Sequence, residues 1–334
     1  MKTNITIIIP THNRPNYLPR SVGWFIRGGY RVVVADSSET EWKHPLRDDS
    51  NLIYLHIPGS YAVYIQKMSA AIHAVQTPLA AICADDDFIL YSGLDSCAEF
   101  LLNNSDYSFC QGYAYLFQCF SSRIAVWPMP YDHHDVESDF WFDRILATKS
   151  TVYYGVNRVE ILADVFRFLG PCEILRSISA VGLVDFSFTN IVSKYGKMKR
   201  LPVPFGMREY SLVVDCVGTR SELILKNSFS AFYQDFLAFL MQGKDVSAEQ
   251  NTALVRLFAA DFASQIQYDM IPTFSRRKYV RLLPKGIQQS GEYFLRTLGA
   301  IRGFLRSGYL PALSLFFCQD YKMFKDQLKN NSVK

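Results

Sequence analysis

Residues 79–88 read LAAICADDDF, and this stretch decides the fold class of the chain. Its first six residues are apolar with no polar alternation, which predicts a strand over residues 79–83 buried on both faces, as in a parallel sheet. Three carboxylates, Asp85, Asp86 and Asp87, follow directly. Adjacent like charges cost stability unless a cation is present, and hard divalent ions bind carboxylate oxygens. If the segment is extended, Asp85 and Asp87 point the same way and Asp86 points the other way. The stretch predicts a metal-binding strand end; a solvated acidic turn that caps the next helix is the alternative.

Similar apolar runs recur through the first hundred residues. Strands are predicted over residues 5–9, 31–35 and 52–56, and helices over 15–25, with Pro15 in the first turn, and 61–75. Strands without alternation, separated by helices, predict a doubly wound, mostly parallel sheet flanked by helices.

The pattern changes twice further along the chain. It loosens beyond residue 105, and helix signals dominate from about residue 222. We therefore predict an α/β domain over residues 1–215 and a helical, basic C-terminal region over 216–334.

Composition excludes several classes of protein. The 334 residues are 49% hydrophobic and 20% charged, which rules out a disordered chain and a small disulfide-stapled module. The net charge of +4 is unevenly placed, because residues 271–334 hold twelve Lys or Arg against three acidic residues. The seven cysteines include no zinc-knuckle or CxxC spacing, and Cys83, Cys110 and Cys216 lie in apolar runs. Buried free thiols and the lack of an apolar run of about 18 residues predict a cytoplasmic protein.

Polar clusters follow three of the predicted strands. They begin at Thr11, Asp36 and Asp85, where ligands bind in open parallel sheets. The sequence has neither GxGxxG after the first strand nor GxxxxGK[ST] anywhere. This argues against a dinucleotide-dependent dehydrogenase and a P-loop NTPase.

Three segments together resemble a known family. Residues 7–15 (IIIPTHNRP), 32–38 (VVVADSS) and 77–88 (TPLAAICADDDF) are similar, in order and spacing, to the opening of family 2 glycosyltransferases of the GT-A fold. The resemblance implies a nucleotide-sugar part over about 1–105 and an acceptor part over about 106–215.

The resemblance also implies roles for individual residues. Asp85 and Asp87 would bind Mn²⁺ or Mg²⁺, and Asp86 would touch the ribose or the donor sugar. Lys67, in the helix before the fourth strand, would meet a phosphate or be a solvated lysine. The nucleotide would contact the first loop and the end of the second strand, at Pro10, Thr11, Asn13, Arg14 and Asp36.

Two more candidates come from residues 184–209. The sequence Val184-Asp185-Phe186 resembles the Glu-Asp position where inverting members have their general base, although Val184 replaces the usual Glu. Asp185 is therefore predicted as the base; a helix N-cap is the alternative role, and Glu173 is a rival base. Arg208 is predicted to contact the diphosphate.

These features predict a metal-dependent transferase. It would move a sugar from a nucleotide-sugar donor, with UDP as the preferred nucleotide, to a hydroxyl of a glycan or lipid-linked acceptor in cell-surface polysaccharide assembly, with inversion. Tyr153 and Tyr154 are candidates for the acceptor pocket. The alternatives are a non-catalytic sugar-nucleotide or glycan-binding protein and a sugar-phosphate nucleotidyltransferase, although the first loop lacks the glycines expected of the latter.

Two stretches outside the candidate site carry alternatives of their own. Residues 276–310 mix basic and aromatic residues, which suits either contact with an anionic membrane surface on the inner face or an ordinary helical domain. No nucleic-acid partner is expected. Residues 132–135 (DHHD) fit a solvated loop better than a zinc site.

Overall fold

The computed structural model describes residues 4–59, 63–119, 124–129, 135–148, 153–172, 181–210, 222–257, 315 and 318–331. Within these residues one sheet forms the centre of the molecule. Its strands, in chain order, are β1 (Ile5–Thr11), β2 (Arg31–Asp36), β3 (Leu52–His56), β4 (Leu79–Ile82), β5 (Phe88–Ile89), β6 (Tyr107–Cys119), β7 (Ile124–Pro128), β8 (Val156–Arg158) and β9 (Lys197–Glu209).

Helices cover both faces of the sheet. They are α1 (Leu18–Arg27), α2 (Tyr64–His73), α3 (Tyr91–Asn103), α4 (Trp141–Ala147), α5 (Val159–Leu169), α6 (Val181–Tyr195), α7 (Glu222–Met241), α8 (residues 248–257) and α9 (Gln319–Asn331).

The strand order is β3-β2-β1-β4-β8-β6-β9-β5, with β7 paired to β6. Strands β1 to β4 pair in parallel, as predicted. Strand β8 then runs antiparallel to both β4 and β6, and β6 pairs in parallel with β9. The predicted α/β class is confirmed; the sheet is parallel in its N-terminal half and mixed beyond it.

The register of the parallel strands brings the polar clusters to one edge. Thr11 at the end of β1 pairs with Asp36 at the end of β2, and Asp36 pairs in turn with His56 at the end of β3. On the other side of β1, Ile8 pairs with Ile82, so the chain leaving β4 emerges beside Thr11. The sequence clusters that follow separate strands therefore meet at the carboxyl edge.

Two apolar cores lie on opposite faces of the sheet. Side chains of β1 alternate between them. Ile8 belongs to the core that includes residues of α2, α5, α6, α7 and α8, whereas Ile7 and Ile9 belong to the core that includes residues of α1, α3 and α9. The helices described after residue 215 thus divide between the two cores. Within the described part of the chain, no helix is both long and apolar enough to cross a membrane.

Several boundaries differ from the predicted ones. Pro15 lies in a turn in which the Tyr17 amide donates to the Arg14 carbonyl, and α1 begins at Leu18 with Pro19 in its first turn. The prediction that Pro15 opens the helix is wrong, because a second proline fills that position. Strand β9 continues through its two prolines to Glu209, because register shifts against β6 accommodate them.

The cysteines that the structure describes are free thiols, and Cys83, Cys97 and Cys110 are buried. Four sequence predictions fall on residues outside the described part of the chain: the buried state of Cys216, the candidate base Glu173, the histidines of residues 132–135, and the basic stretch 276–310.

Candidate functional site

The site is built where β1, β2 and β4 end. The Thr11 hydroxyl donates a 2.6 Å hydrogen bond to the Asp85 carboxylate, across 74 residues of sequence. Both side chains are buried. The predicted meeting of the first loop with the acidic triplet is therefore present, and Pro10 precedes Thr11 in the last two positions of β1.

The acidic triplet forms a turn and is not extended. The Asp87 amide donates to the Ala84 carbonyl at 3.1 Å, which closes the turn. The two terminal nitrogens of the Arg14 guanidinium pair with neighbouring carboxylates, one with an Asp85 oxygen at 2.7 Å and the other with an Asp86 oxygen at 2.7 Å. The expectation that Asp85 and Asp86 face opposite ways is therefore wrong, because the turn brings both carboxylates to one guanidinium.

Asp87 has a different set of partners. One carboxylate oxygen accepts a 2.8 Å hydrogen bond from the Glu209 amide, and the other lies 3.4 Å from the Arg208 guanidinium. Burial raises the pKa of Asp87 to about 7, although Arg208 opposes the shift. The end of β9 thus supplies both partners of Asp87, although Asp87 and these partners are more than a hundred residues apart in sequence.

A third arginine, Arg20, braces the turn from α1. Its guanidinium donates to the Asp86 backbone carbonyl at 3.1 Å and forms an ion pair with Glu209. It also lies 5.2 Å from the centre of the Phe88 ring. Sequence reasoning missed Arg20 and Glu209; the available signal was that three adjacent carboxylates need nearby cations.

Asp36 is enclosed by hydrogen bonds. One carboxylate oxygen accepts from the amide and the hydroxyl of Ser38, and the other accepts from the Tyr54 hydroxyl at 2.6 Å. Only 1% of Asp36 is exposed. In this arrangement Asp36 fixes the loop after β2 and the ring of Tyr54, which sequence reasoning did not single out.

Asn13 ties the first loop to the second. It has a positive φ of 54°, which asparagine tolerates better than most residues. Its amide donates to the Ser38 hydroxyl at 2.8 Å, and its side-chain carbonyl accepts from the Glu39 amide at 3.1 Å. The two loops therefore form one hydrogen-bonded surface.

Lys67 lies beneath that surface. Its ammonium donates to the Thr11 carbonyl at 2.6 Å and to the Ser37 hydroxyl at 2.9 Å, and only 3% of the residue is exposed. Burial lowers its pKa to about 8, against the opposing charges of Asp36 and Asp85. The reading of Lys67 as a solvated lysine is wrong, because loop groups and two carboxylates enclose it.

Asp185 lies in the second turn of α6, so its alternative role as an N-cap is excluded. Burial raises its pKa to about 6, and the positive charge of Arg208 opposes the shift. Burial raises the pKa values of Tyr64 and Tyr153, and the negative charge of Asp185 adds to both shifts. The hydroxyls of these two tyrosines are hydrogen-bonded to each other.

Arg208 stands between two carboxylates of the site. It pairs with Asp87, acts electrostatically on Asp185, and lies 4.3 Å from the centre of the Tyr154 ring. Burial also raises the pKa of Asp85 to about 6, so the pKa values of the buried Asp85 and Asp87 and of the partly buried Asp185 all lie between about 6 and about 7. Such a cluster at a sheet edge is typical of a functional site.

The donor set restricts how a metal ion fits. Among the described residues no group of three or more His, Cys, Asp or Glu side chains can hold one. Both oxygens of Asp85 already accept hydrogen bonds, from Thr11 and Arg14. One oxygen of Asp87 has only a long ion pair, of 3.4 Å, with the Arg208 guanidinium. The residues fit an ion held by one carboxylate and completed by phosphate oxygens, an arrangement common for Mg²⁺.

The structure is similar to solved structures of S. aureus TarS. Over 98% of this chain and 91% of the other, the structure is similar to residues 1–349 of S. aureus TarS in complex with UDP, with a TM-score of 0.54 and 14% identity. The complex of TarS 1–349 with UDP-GlcNAc matches over 98% and 92%, with a TM-score of 0.52 and 15% identity. No protein-family model and no curated protein matches the sequence. The chain therefore has the α/β fold of TarS, in agreement with the predicted GT-A class.

Proposed function

We propose that this protein is a glycosyltransferase that uses a nucleotide-sugar donor, with UDP as the nucleotide. One observation carries the proposal: the loops after β1, β2 and β4 form a single hydrogen-bonded rim that joins Thr11, Asp36 and Asp85 at the carboxyl edge of the sheet. The fold shared with TarS, whose complexes hold UDP and UDP-GlcNAc, supports a donor of the same class.

The nucleotide would lie on the rim made by Pro10, Thr11, Asn13 and Asp36. Asp36 and Tyr54 together would present a fixed polar edge to the base and ribose, because the Asp36 carboxylate locks the Tyr54 hydroxyl. Asp86 would serve the ribose or the donor sugar. Lys67 would act from below, by neutralising Asp36 and Asp85 and holding both loops, and not by touching a phosphate.

The diphosphate would lie against the acidic turn, where Arg14 and Arg208 supply positive charge. We assign Mn²⁺ or Mg²⁺ to Asp87, and we assign Asp85 to holding Thr11 and Arg14. When bound, the ion would neutralise charge on the departing diphosphate. Arg208, which is 36% exposed at its side chain, can turn from Asp87 toward a phosphate.

Asp185 would be the general base. A carboxylate with a pKa near 6 is ionised at neutral pH and basic enough to accept a proton. The acceptor hydroxyl would lose its proton to Asp185 as its oxygen forms a bond to the anomeric carbon. The bond from that carbon to the phosphate oxygen would break, with the electron pair leaving on the nucleoside diphosphate. Attack opposite the leaving group inverts the anomeric centre.

The acceptor is proposed to be a glycan or lipid-linked hydroxyl in cell-surface polysaccharide assembly at the cytoplasmic membrane face. Tyr154, which is partly exposed and lies against the Arg208 guanidinium, would offer a ring on which a sugar can stack. Tyr153 is buried and packs against the Tyr154 ring, so it would support that ring without touching the sugar. Membrane contact through residues 276–310 stays a prediction from the sequence.

Turnover of UDP-GlcNAc tests the proposal. Purified protein with Mn²⁺ should release UDP, by slow hydrolysis without an acceptor and faster with one. Asp185→Asn should lower transfer by at least a hundredfold, within the usual range for a general base, and should still bind UDP. Binding of UDP by the wild type without any release from a panel of UDP-sugars would favour the non-catalytic binding protein.

A further inference from the structure

The C-terminal helix α9 is packed directly behind the acidic turn. It is more than 200 residues from that turn in sequence, yet the Asp320 carboxylate accepts a 2.6 Å hydrogen bond from the Ser92 amide at the start of α3. The Gln327 side chain donates to the Arg20 carbonyl at 3.1 Å. The helix is thereby joined to both α1 and α3 on the same face of the sheet.

Phe324 is the apolar centre of this contact. Its side chain is fully buried, and its ring centre lies 5.3 Å from that of Phe88 and 5.0 Å from that of Phe117. The Trp24 ring is 6.3 Å away and nearly perpendicular. Phe88 immediately follows Asp87, so the helix packs against the residue next to the third carboxylate.

The backbone that holds Phe88 has little stability of its own. Strand β5 is only two residues long, and it pairs with β9 through Met207 and Gly206. Next to this pairing, the Leu90 amide donates to the Phe205 carbonyl at 2.8 Å, and the Trp24 indole donates to the Ile89 carbonyl at 2.9 Å. Since so short a strand has few hydrogen bonds of its own, packing around Phe88 adds to the polar contacts that set the position of the turn.

A second path runs through Arg20. Gln327 bonds the backbone of Arg20, and the guanidinium of the same residue bonds the Asp86 carbonyl and pairs with Glu209. Glu209 in turn donates its amide to Asp87. Both paths from α9 therefore end on the acidic turn, one through the ring of Phe88 and one through Arg20.

We propose that α9 holds the acidic turn in place, with Phe324 acting through Phe88 and Gln327 acting through Arg20. Phe324 and Gln327 are positioning residues, since neither lies among the groups assigned to the donor. The consequence for donor binding rests on the proposed function, whereas the effect on the turn itself does not.

Two buried phenylalanines provide a matched test. Phe236 of α7 is also fully buried, and it contacts the rings of Phe168, Phe186 and Phe232 in the opposite core. Phe324→Leu and Phe236→Leu therefore remove similar volume and similar ring contacts. Any difference between them at the acidic turn reflects the position of α9 and not a general loss of core packing.

Hydrogen–deuterium exchange on the full chain, without nucleotide, measures the turn directly. The amides of Asp87 and Leu90, bonded to the carbonyls of Ala84 and Phe205, report on it. We expect exchange in peptides covering residues 84–91 to be at least tenfold faster in Phe324→Leu than in Phe236→Leu. Gln327→Ala, which removes a single hydrogen bond, should give a smaller increase. Equal exchange in the two leucine variants would overturn the proposal.

Calorimetric titration with UDP and Mn²⁺ then separates the two proposals. We expect Phe324→Leu to weaken UDP binding at least tenfold more than Phe236→Leu, at a temperature where both variants are folded. Unequal exchange with equal UDP affinity would overturn the link to donor binding. If the wild type binds no UDP, the proposed function fails, and the exchange result still decides whether α9 holds the turn.

Discussion

The Lys67 ammonium lies 2.6 Å from the backbone carbonyl oxygen of Thr11, although the two residues are 56 positions apart in sequence. The same ammonium bonds Ser37, so one buried cation joins the loops after β1 and β2. It also offsets the charges of Asp36 and Asp85 from beneath. The buried Lys67 ammonium thus holds together the rim that is proposed to bind the nucleotide.

Replacing Lys67 with methionine should weaken the rim. The Thr11 carbonyl and the Ser37 hydroxyl would lose a buried partner, at a cost of about 1–3 kcal/mol in the free energy of unfolding. UDP affinity should fall as well. In the wild type it should decrease as pH rises through about 8, where Lys67 loses its proton, and Lys67→Met should lack that decrease.

Titrations with UDP from pH 7 to pH 9.5 check this. Lys43 is exposed, so Lys43→Met is the control and should keep the wild-type pH dependence. A decrease of the same size in Lys67→Met would show that another group is responsible.

Asp185→Asn should make the protein more stable, most of all at neutral pH. The folded-state pKa of about 6 is above the value of about 3.9 in unfolded chains, so the folded state binds the proton more tightly. Ionised Asp185 therefore opposes folding, and this cost grows as pH rises from 4 through 6. The stability advantage of the variant should increase by about 2 kcal/mol between pH 4 and pH 7.5.

Urea unfolding at the two pH values measures this advantage. Asp245→Asn, at an exposed position, should show no such pH-dependent advantage. An Asp185→Asn advantage that is the same at pH 4 and pH 7.5 would mean that Asp185 has an ordinary pKa.

Arg208→Gln should shift the pH dependence of turnover. Arg208 lowers the pKa of Asp185, so its removal should raise that pKa above about 6 and move the acid limb of the rate profile to higher pH. Turnover of UDP-GlcNAc from pH 5 to pH 8 shows the limb. Arg167→Gln changes an exposed arginine and should leave it in place. If the acid limb of the Arg208→Gln profile lay at the wild-type pH, Arg208 would not influence the pKa of the base.

Two helical glycines should respond in opposite directions to alanine. A Cβ at Gly93 of α3 would come within 2.3 Å of the Pro204 carbonyl oxygen, so Gly93→Ala should destabilise the protein by about 1–3 kcal/mol. At Gly23 of α1 the nearest atom is 3.8 Å away, and Gly23→Ala should stabilise by up to about 1 kcal/mol. Thermal unfolding distinguishes the two; destabilisation by both would contradict the packing described for α1.

The strands of the N-terminal half and the meeting of Thr11 with Asp85 could be predicted because both follow from local pattern and parallel topology. The apolar runs fix the strands, and parallel strands bring their carboxyl ends together. The partners of the acidic turn could not be predicted. Arg20, Glu209 and Phe324 reach it from α1, β9 and α9, and no local spacing in the sequence relates those elements.

The direction of individual side chains was also beyond the sequence. An extended triplet and a turn have the same residues, and only the bond from Asp87 to Ala84 distinguishes them. Likewise, the sequence does not show that Lys67, in the middle of a helix, is covered by the loops after β1 and β2, so a solvent-exposed lysine was an equally good prediction.

The most direct test of the account is calorimetric titration of the wild-type protein with UDP, with and without Mn²⁺, beside Asp87→Asn and the control Asp135→Asn, which changes a half-exposed carboxylate paired with Lys199. We predict that the wild type and the control bind UDP with Mn²⁺ present, and that their affinity falls at least tenfold without Mn²⁺. Asp87→Asn should show the same loss of affinity even with Mn²⁺ present. A wild-type protein that binds no UDP even with Mn²⁺ present would contradict the account.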